Sequence, residues 1–285
     1  MDRELVGGMH RRELYEFYWP VPKTGFEWTK SIAWPRGRLL PEPQDEGDYL
    51  IERAIPGQSR TVQRYSPFRI SGLFRTFADT ERSKEGIVHF ADQYGFLFEP
   101  VAAMSVVGSD THVRPGEPME AWVKEIALLR SAVDLWGACR EIEPPMRDNS
   151  TPIEPTWGAL QQMVNEHLKT QAADPKLLWD VRATKACLRM RFMPRSLLAA
   201  MWIQLATAIE GDRDYGQCEQ CGSWFEIVAE KRKDAKFCSD KCRFKAYRHR
   251  QKQARDLSGK GQSLETIAAA LGSDVRTIRG WVIEK

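Results

Sequence analysis

Four of the six cysteines in this chain, Cys218, Cys221, Cys238 and Cys242, fall inside a 25-residue stretch with the spacing Cys-x2-Cys, sixteen residues, Cys-x3-Cys. Secreted disulfide frameworks spread their cysteines more evenly along a chain. The two remaining cysteines, Cys139 and Cys187, stand alone among apolar residues and read as small buried hydrophobes. Two thiolates separated by two residues reach one metal ion from a tight turn, and Gly222 lets the chain leave that turn. Zinc takes four ligands in a tetrahedron and favours thiolates in structural sites. The pattern predicts one Zn²⁺ held by Cys218, Cys221, Cys238 and Cys242. A redox Cys-x-x-Cys pair or an iron–sulfur cluster would use the same residues. With four protein ligands no position is left open for a substrate, so the expected role is structural. Metal binding in such a unit contributes about 10–16 kcal/mol of apparent binding free energy to folding.

The residues around the cluster predict how it folds. Trp224-Phe225-Glu226-Ile227-Val228 has strand propensity, and residues 231–234 are the expected hairpin turn. The run 241–257 contains neither glycine nor proline, so the second cysteine pair sits at an expected helix start. A helix N-terminus stabilises negative charge and hence thiolates. Lys236, Lys241 and Arg243 are expected to offset part of the charge of a four-thiolate site. A knuckle, a hairpin and a helix carrying the last two ligands make a treble clef, here spanning 212–257.

Charge is concentrated in the same region. The net charge is +3, yet residues 229–260 carry twelve Lys and Arg against four Asp and Glu, which leaves the remainder of the chain at −5. Such a block suits a polyanionic partner or a solvated helix face.

Ahead of the cluster the chain reads as a helical N-terminal domain. Residues 1–67 are irregular, with strand-like runs at 48–51 and 61–65. Apolar residues then recur at helical spacing through Leu73, Phe74, Phe77 and Ala78, and through Ile87, Phe90, Ala91 and Tyr94, with Gly95 as C-cap. Residues 108–116 read as a loop. A helix is predicted over 118–141, with Pro118 in its first turn and an inward stripe of Met119, Trp122, Val123, Ile126, Leu129, Val133 and Trp136. The region 1–142 is thus mixed and then helical. Four prolines mark 143–155 as a linker. The region 156–211 continues the same domain, with a helix over 157–170, a short hairpin within 177–192, and an apolar helix starting at Pro194 and running through Leu197, Leu198, Met201, Trp202, Leu205 and Ile209. The fold class expected is mainly α with a few short strands.

The longest mainly apolar stretch, 197–206 with Gln204 inside it, is too short to span a bilayer, and the first residues carry acids with no apolar stretch behind them. No membrane association and a cytoplasmic location are expected. No phosphate-binding glycine loop, His-Glu-x-x-His or Gly-x-Ser-x-Gly motif occurs, and the five histidines do not cluster. No catalytic residue is therefore predicted, and the chain reads as a non-enzyme.

The last residues, 258–285, alternate caps and apolar positions. Ser258-Gly259-Lys260-Gly261 ends the basic helix, Ser263 caps a helix over Leu264–Leu271, Gly272 turns the chain, and Asp274 caps Val275–Ile283. With Ile267-Ala268, Leu271-Gly272, Thr277-Ile278 and Trp281 in these places, the segment resembles the helix-turn-helix family, although Ser273 stands where that family usually has an aliphatic residue. The resemblance implies that Val275–Ile283 is a recognition helix whose early residues enter the major groove, with Arg276 and Arg279 contacting bases or phosphates and Thr277 a phosphate or base edge. Likewise Phe237-Cys238-Ser239-Asp240-Lys241-Cys242-Arg243 followed by Tyr247-Arg248-His249-Arg250 looks like bacterial treble-clef fingers. The layout is similar to that of the CGNR-type regulators, with Cys242-Arg243-Phe244-Lys245 replacing the run that names them.

Together these readings describe a zinc-dependent protein that binds double-stranded DNA, a bacterial transcriptional regulator. Lys245, Arg248, Arg250 and Lys252 are the candidate phosphate contacts, and Arg276, Thr277 and Arg279 the candidate base contacts. The N-terminal domain would sense an unknown ligand or protein partner, and the helix over 118–141 is a candidate homodimer surface. Two alternatives belong to other classes. One is a non-enzymatic zinc module binding RNA or protein, in which Trp224, Phe225 and Tyr247 would be stacking platforms, although packing around the zinc is the expected role of all three. The other is a treble-clef nuclease, for which His249 is the one nearby histidine.

Overall fold

The computed structural model describes residues 17–30, 47–55, 57, 59–98, 102–107, 110–142, 155–170, 173–180, 187–227 and 235–283. Its residues divide into two compact units, Met1–Asp212 and Arg213–Lys285. The architecture is α-rich with small antiparallel sheets.

In the first unit, β1 (Trp19–Pro22) pairs antiparallel with β4 (Val62–Tyr65). A four-stranded sheet has the order β2 (Phe26–Thr29), β3 (Tyr49–Glu52), β6 (Asp110–Pro118), β5 (Ala102–Val107). Residues 108–116, expected as a loop, therefore lie mostly on a strand: β6 pairs with β5 from Pro115 to Asp110 and with β3 beyond it. Glycine and proline made this run look like a turn, but pairing on two sides outweighs their poor strand propensity.

The helices are α1 (Leu73–Ala78), α2 (Lys84–Tyr94), α3 (Met119–Glu141), α4 (Pro155–Thr170) and α5 (Leu197–Glu210). Pro118 sits at the N-cap of α3 and not inside its first turn. The buried stripe of α3 is Trp122, Glu125, Ile126, Leu129, Ala132, Trp136 and Cys139, so Met119, Val123 and Val133 flank it. The helix expected from Pro194 starts at Leu197. Ser196 caps it by accepting the Ala199 amide at 3.0 Å, and Pro194 ends β8 (Cys187–Pro194), whose partner is β7 (Ala173–Asp180). α5 is apolar on nearly every side and is correspondingly buried from Leu197 through Ile203, so it forms the centre of this unit.

Aromatic packing joins the helices. Phe77 meets Phe90 edge-on at 5.1 Å, and both approach the Trp122 ring at 6.1 Å. One buried acid organises the chain beyond α2: the Glu117 carboxyl oxygens accept the backbone amides of Leu97 at 3.1 Å and Phe98 at 2.6 Å. Burial pushes its carboxyl up to about 8, against the opposing pull of those two amides and the Trp122 indole. Among the described residues no helix is long and apolar enough to cross a membrane. The linker expected at 143–155 falls outside the described residues except for Pro155, which begins α4.

Candidate metal centre

The second unit begins with β9 (Asp214–Gln217), which pairs antiparallel with β10 (Trp224–Ile227). Gly216 faces Phe225 in the register, and the Phe225 ring lies over the bare glycine. The strand expected at 224–228 is thus present, but its partner precedes the cysteines. The turn expected at 231–234 lies outside the described residues.

Between β9 and β10 the chain forms a tight knuckle. The Gly222 amide donates to the Cys218 carbonyl at 2.8 Å, and the Cys218 amide to the Ser223 carbonyl at 3.0 Å. Gly222 adopts φ +71°, the left-handed conformation that closes this turn. The Glu219 amide donates to the Lys236 carbonyl at 3.0 Å, which brings the segment before Cys238 against the knuckle. Cys238 and Cys242 lie around the start of α6 (Asp240–Gly259), where Ser239 accepts the Cys242 amide at 3.3 Å as N-cap.

The four Sγ atoms lie within 4.8 Å of one another. Cys238 Sγ is 3.7 Å from Cys221 Sγ and 3.5 Å from Cys242 Sγ. A tetrahedron of thiolates at the usual Zn–S distance of about 2.3 Å has sulfur–sulfur edges of about 3.8 Å. Both the donor set and the spacing fit a tetrahedral thiolate-bound ion such as zinc. Among the described residues this is the one group of three or more His, Cys, Asp and Glu side chains placed to hold a metal ion.

The four thiols are not equivalent. Burial raises Cys221, but donation from the Ser223 hydroxyl and amide and from the Cys218 and Cys238 thiols outweighs it and brings Cys221 down to about 6. Burial and the Cys242 and Cys221 thiols push Cys238 up to about 12. The thiols titrate as one interacting set, and a bound cation would displace the protons they retain. Two of the cations expected to neutralise the cluster are engaged elsewhere: Arg243 pairs with Asp240 at 3.0 Å and Lys236 with Glu219 at 3.2 Å. Lys241 is exposed and makes no ion pair among the described residues.

Beyond the cysteines, α6 packs against α7 (Leu264–Leu271) and α8 (Val275–Ile283). Ala254, Ile267, Ala268, Ile278 and Trp281 form the buried cluster, with Leu257, Leu264, Leu271, Val275 and Val282 around it. Two polar bonds tie α6 to α8: Trp281 Nε1 donates to the Tyr247 hydroxyl at 2.8 Å, and Arg255 Nε donates to the Trp281 carbonyl at 2.8 Å. Between α7 and α8, Gly272 adopts φ +57°, and the Ser273 amide donates to the Ala268 carbonyl at 3.0 Å. This is a Schellman closure. Ser263 and Asp274 cap the two helices, accepting the Thr266 and Thr277 amides at 3.3 and 2.8 Å.

Helical geometry sorts the cationic candidates. At about 100° per residue, Lys241, Lys245, Arg248 and Lys252 fall within about 60° of one another. All four are exposed, and none is paired with a carboxylate among the described residues. Arg250 lies about 140° round the helix from Lys245 and is half-buried on the side of Ala254. On α8, Arg276 and Arg279 are exposed. Glu265 is held below the usual carboxylate range, chiefly by its own amide and Ser263, with a smaller pull from Arg279. The Thr277 hydroxyl donates to Asp274 Oδ2 at 2.7 Å, so its proton is used within the cap. Lys241, expected only to offset the cluster's charge, joins the stripe by helical phase, whereas Arg255 ties α6 to α8 through a carbonyl 26 residues away that no local pattern signals.

No family model matches this chain, and comparison with curated proteins and with solved structures finds no match.

Proposed function

We propose that the protein binds double-stranded DNA through its C-terminal unit and acts as a transcriptional regulator, with the N-terminal unit sensing a ligand or mediating assembly. On this reading the cysteine cluster holds one structural zinc ion in a treble clef, and α7 and α8 form a helix-turn-helix. The observation that carries the proposal is the exposed cationic stripe Lys241, Lys245, Arg248 and Lys252, which has no carboxylate partner among the described residues. Four unpaired cations held side by side repel one another, and a phosphate backbone relieves that repulsion while releasing condensed counterions. Arg276 and Arg279 supply the base contacts, since arginine pairs bidentately with guanine. Zinc, by fixing the first turn of α6, sets the direction of the helix that carries the stripe.

The test is in-vitro selection of random duplex DNA by the zinc-loaded full-length protein, read by sequencing. An enriched motif with salt-sensitive affinity is the expected result. Binding that ignores ionic strength would overturn the proposal.

A second reading has one observation in its favour. Phe244 is 55% exposed, and the Arg243 guanidinium lies 5.5 Å from its ring centroid. An exposed ring beside a cationic stripe suits stacking on unpaired bases. Competition between duplex DNA and single-stranded RNA separates the two readings.

A further inference from the structure

α8 contains a glycine that the protein itself does not require. Gly280 stands inside the helix, its φ is not positive, and a Cβ built there would meet nothing within 4 Å. The turn glycines of these helices, Gly261 and Gly272, are explained by their left-handed φ of +79° and +57°. Gly280 has neither a conformational nor an internal packing reason. A glycine in a helix interior lowers the helical equilibrium about fivefold relative to alanine. Gly137 in α3 carries the same loss, and what sets Gly280 apart is the set of side chains around it.

The surroundings of Gly280 identify the visitor. At about 100° per residue, Arg279, Ile283, Arg276 and Gly280 occupy one arc of about 100°, facing away from the buried Ile278 and Trp281. Arg276 and Arg279 are exposed, and Ile283 is 69% exposed. Arg276 makes no ion pair among the described residues, and no acidic residue occurs in α8. A bare backbone flanked by two guanidinium groups and one apolar side chain suits a surface that is anionic, offers paired acceptors and carries a methyl group. The major-groove edge of duplex DNA has all three, in its phosphates, in guanine O6 and N7, and in the thymine methyl.

We infer that Gly280 is the seat at which α8 closes onto the major groove, with Arg276 and Arg279 engaging base edges on either side and Ile283 contacting a thymine methyl. The inference rests on the duplex-binding reading above. A methyl group at position 280 would hold the helix away from the base edges and lengthen both arginine contacts. Phosphate contacts made by α6 would be untouched.

The test uses zinc-loaded full-length protein and a duplex obtained by selection from a random pool. Gly280→Ala is compared with wild type, with Arg276→Ala/Arg279→Ala, and with Gly137→Ala. Gly137 is the control, because it is another helical glycine whose Cβ would meet nothing within 4 Å. Gly280→Ala is expected to slow hydrogen exchange in α8, to weaken binding to the selected duplex at least tenfold, and to leave binding to unrelated duplex within twofold. Gly137→Ala is expected to bind as wild type does. Wild-type affinity in Gly280→Ala, alongside a loss in the double arginine variant, would overturn the role of Gly280 and leave duplex binding standing. An equal loss in Gly137→Ala would overturn it too. If the wild-type protein enriches no duplex, both the inference and the reading beneath it fall.

Discussion

Removing the metal from the full-length protein should unfold one half of the C-terminal unit and spare the other. Between β9 and the first turn of α6, the buried side chains among the described residues are Cys218 and Phe225. Burial of a phenylalanine contributes about 1.5–3 kcal/mol, while ordering each backbone residue costs about 1–2 kcal/mol. Two paired strands of four residues are marginal in water without further support. A bound ion contributing about 10–16 kcal/mol reverses that balance. The helical cluster of Ala254, Ile267, Ala268, Ile278 and Trp281 is built from residues remote in sequence from the cysteines. It also keeps its caps at Ser263 and Asp274. Hydrogen exchange read by mass spectrometry, before and after chelation with metal content verified, distinguishes the halves. Amides of 214–227 are expected to lose protection by at least roughly a thousandfold, equivalent to about 4 kcal/mol, while those of 264–282 keep most of theirs. Unchanged protection at 214–227 after complete metal removal would refute the reasoning. So would equal loss across 264–282.

Replacing Lys245, Arg248 and Lys252 together by alanine should flatten the dependence of log affinity on log salt by about one unit per lost phosphate contact. Adding Arg250→Ala should change the slope less than any stripe residue does, because Arg250 faces the helical core; fluorescence anisotropy titrations at several salt concentrations measure this. Trp281→Ala should destabilise the C-terminal helices by about 3–5 kcal/mol in denaturant titrations. Tyr247→Phe, which removes only the acceptor of the Trp281 indole, should cost about 1 kcal/mol. Glu117→Ala should cost the N-terminal unit about 2–4 kcal/mol by leaving the Leu97 and Phe98 amides unpaired. The same carboxyl makes a pH prediction. Its folded pKa is raised from 4.5 to about 8, so its contribution is full below the lower value and is lost as pH rises through the higher one. Stability of the N-terminal unit should fall across that window by up to about 1.4 kcal/mol per pH unit. Glu117→Gln should remove that slope, and a slope unchanged in Glu117→Gln would contradict the assignment.

The features legible in the sequence are those whose chemistry is local. The clustering of the four cysteines is declared by spacing alone, because a knuckle and a helix start each fix their own cysteine pair within a few residues. Ser263, Gly272 and Asp274 mark the ends of α7 and α8, because capping bonds span three or four residues. The apolar stripe of α3 follows from helical periodicity, displaced only in which edge residues are fully covered. Pairing and burial were decided by tertiary structure, because their partners lie far along the chain. β10 takes β9 as its neighbour across the knuckle, and the stretch at 108–116 is held as strand by β5 and β3 together. Glu117 looks like a surface acid until two distant backbone amides converge on it. Lys245 and Arg250 are equivalent in composition, and only the packing of α6 on α7 and α8 turns one to solvent and the other toward the core. Helix phase and metal spacing repeat within a few residues and can be read from the chain; strand partners and the environment of a charge depend on what the rest of the molecule brings to them.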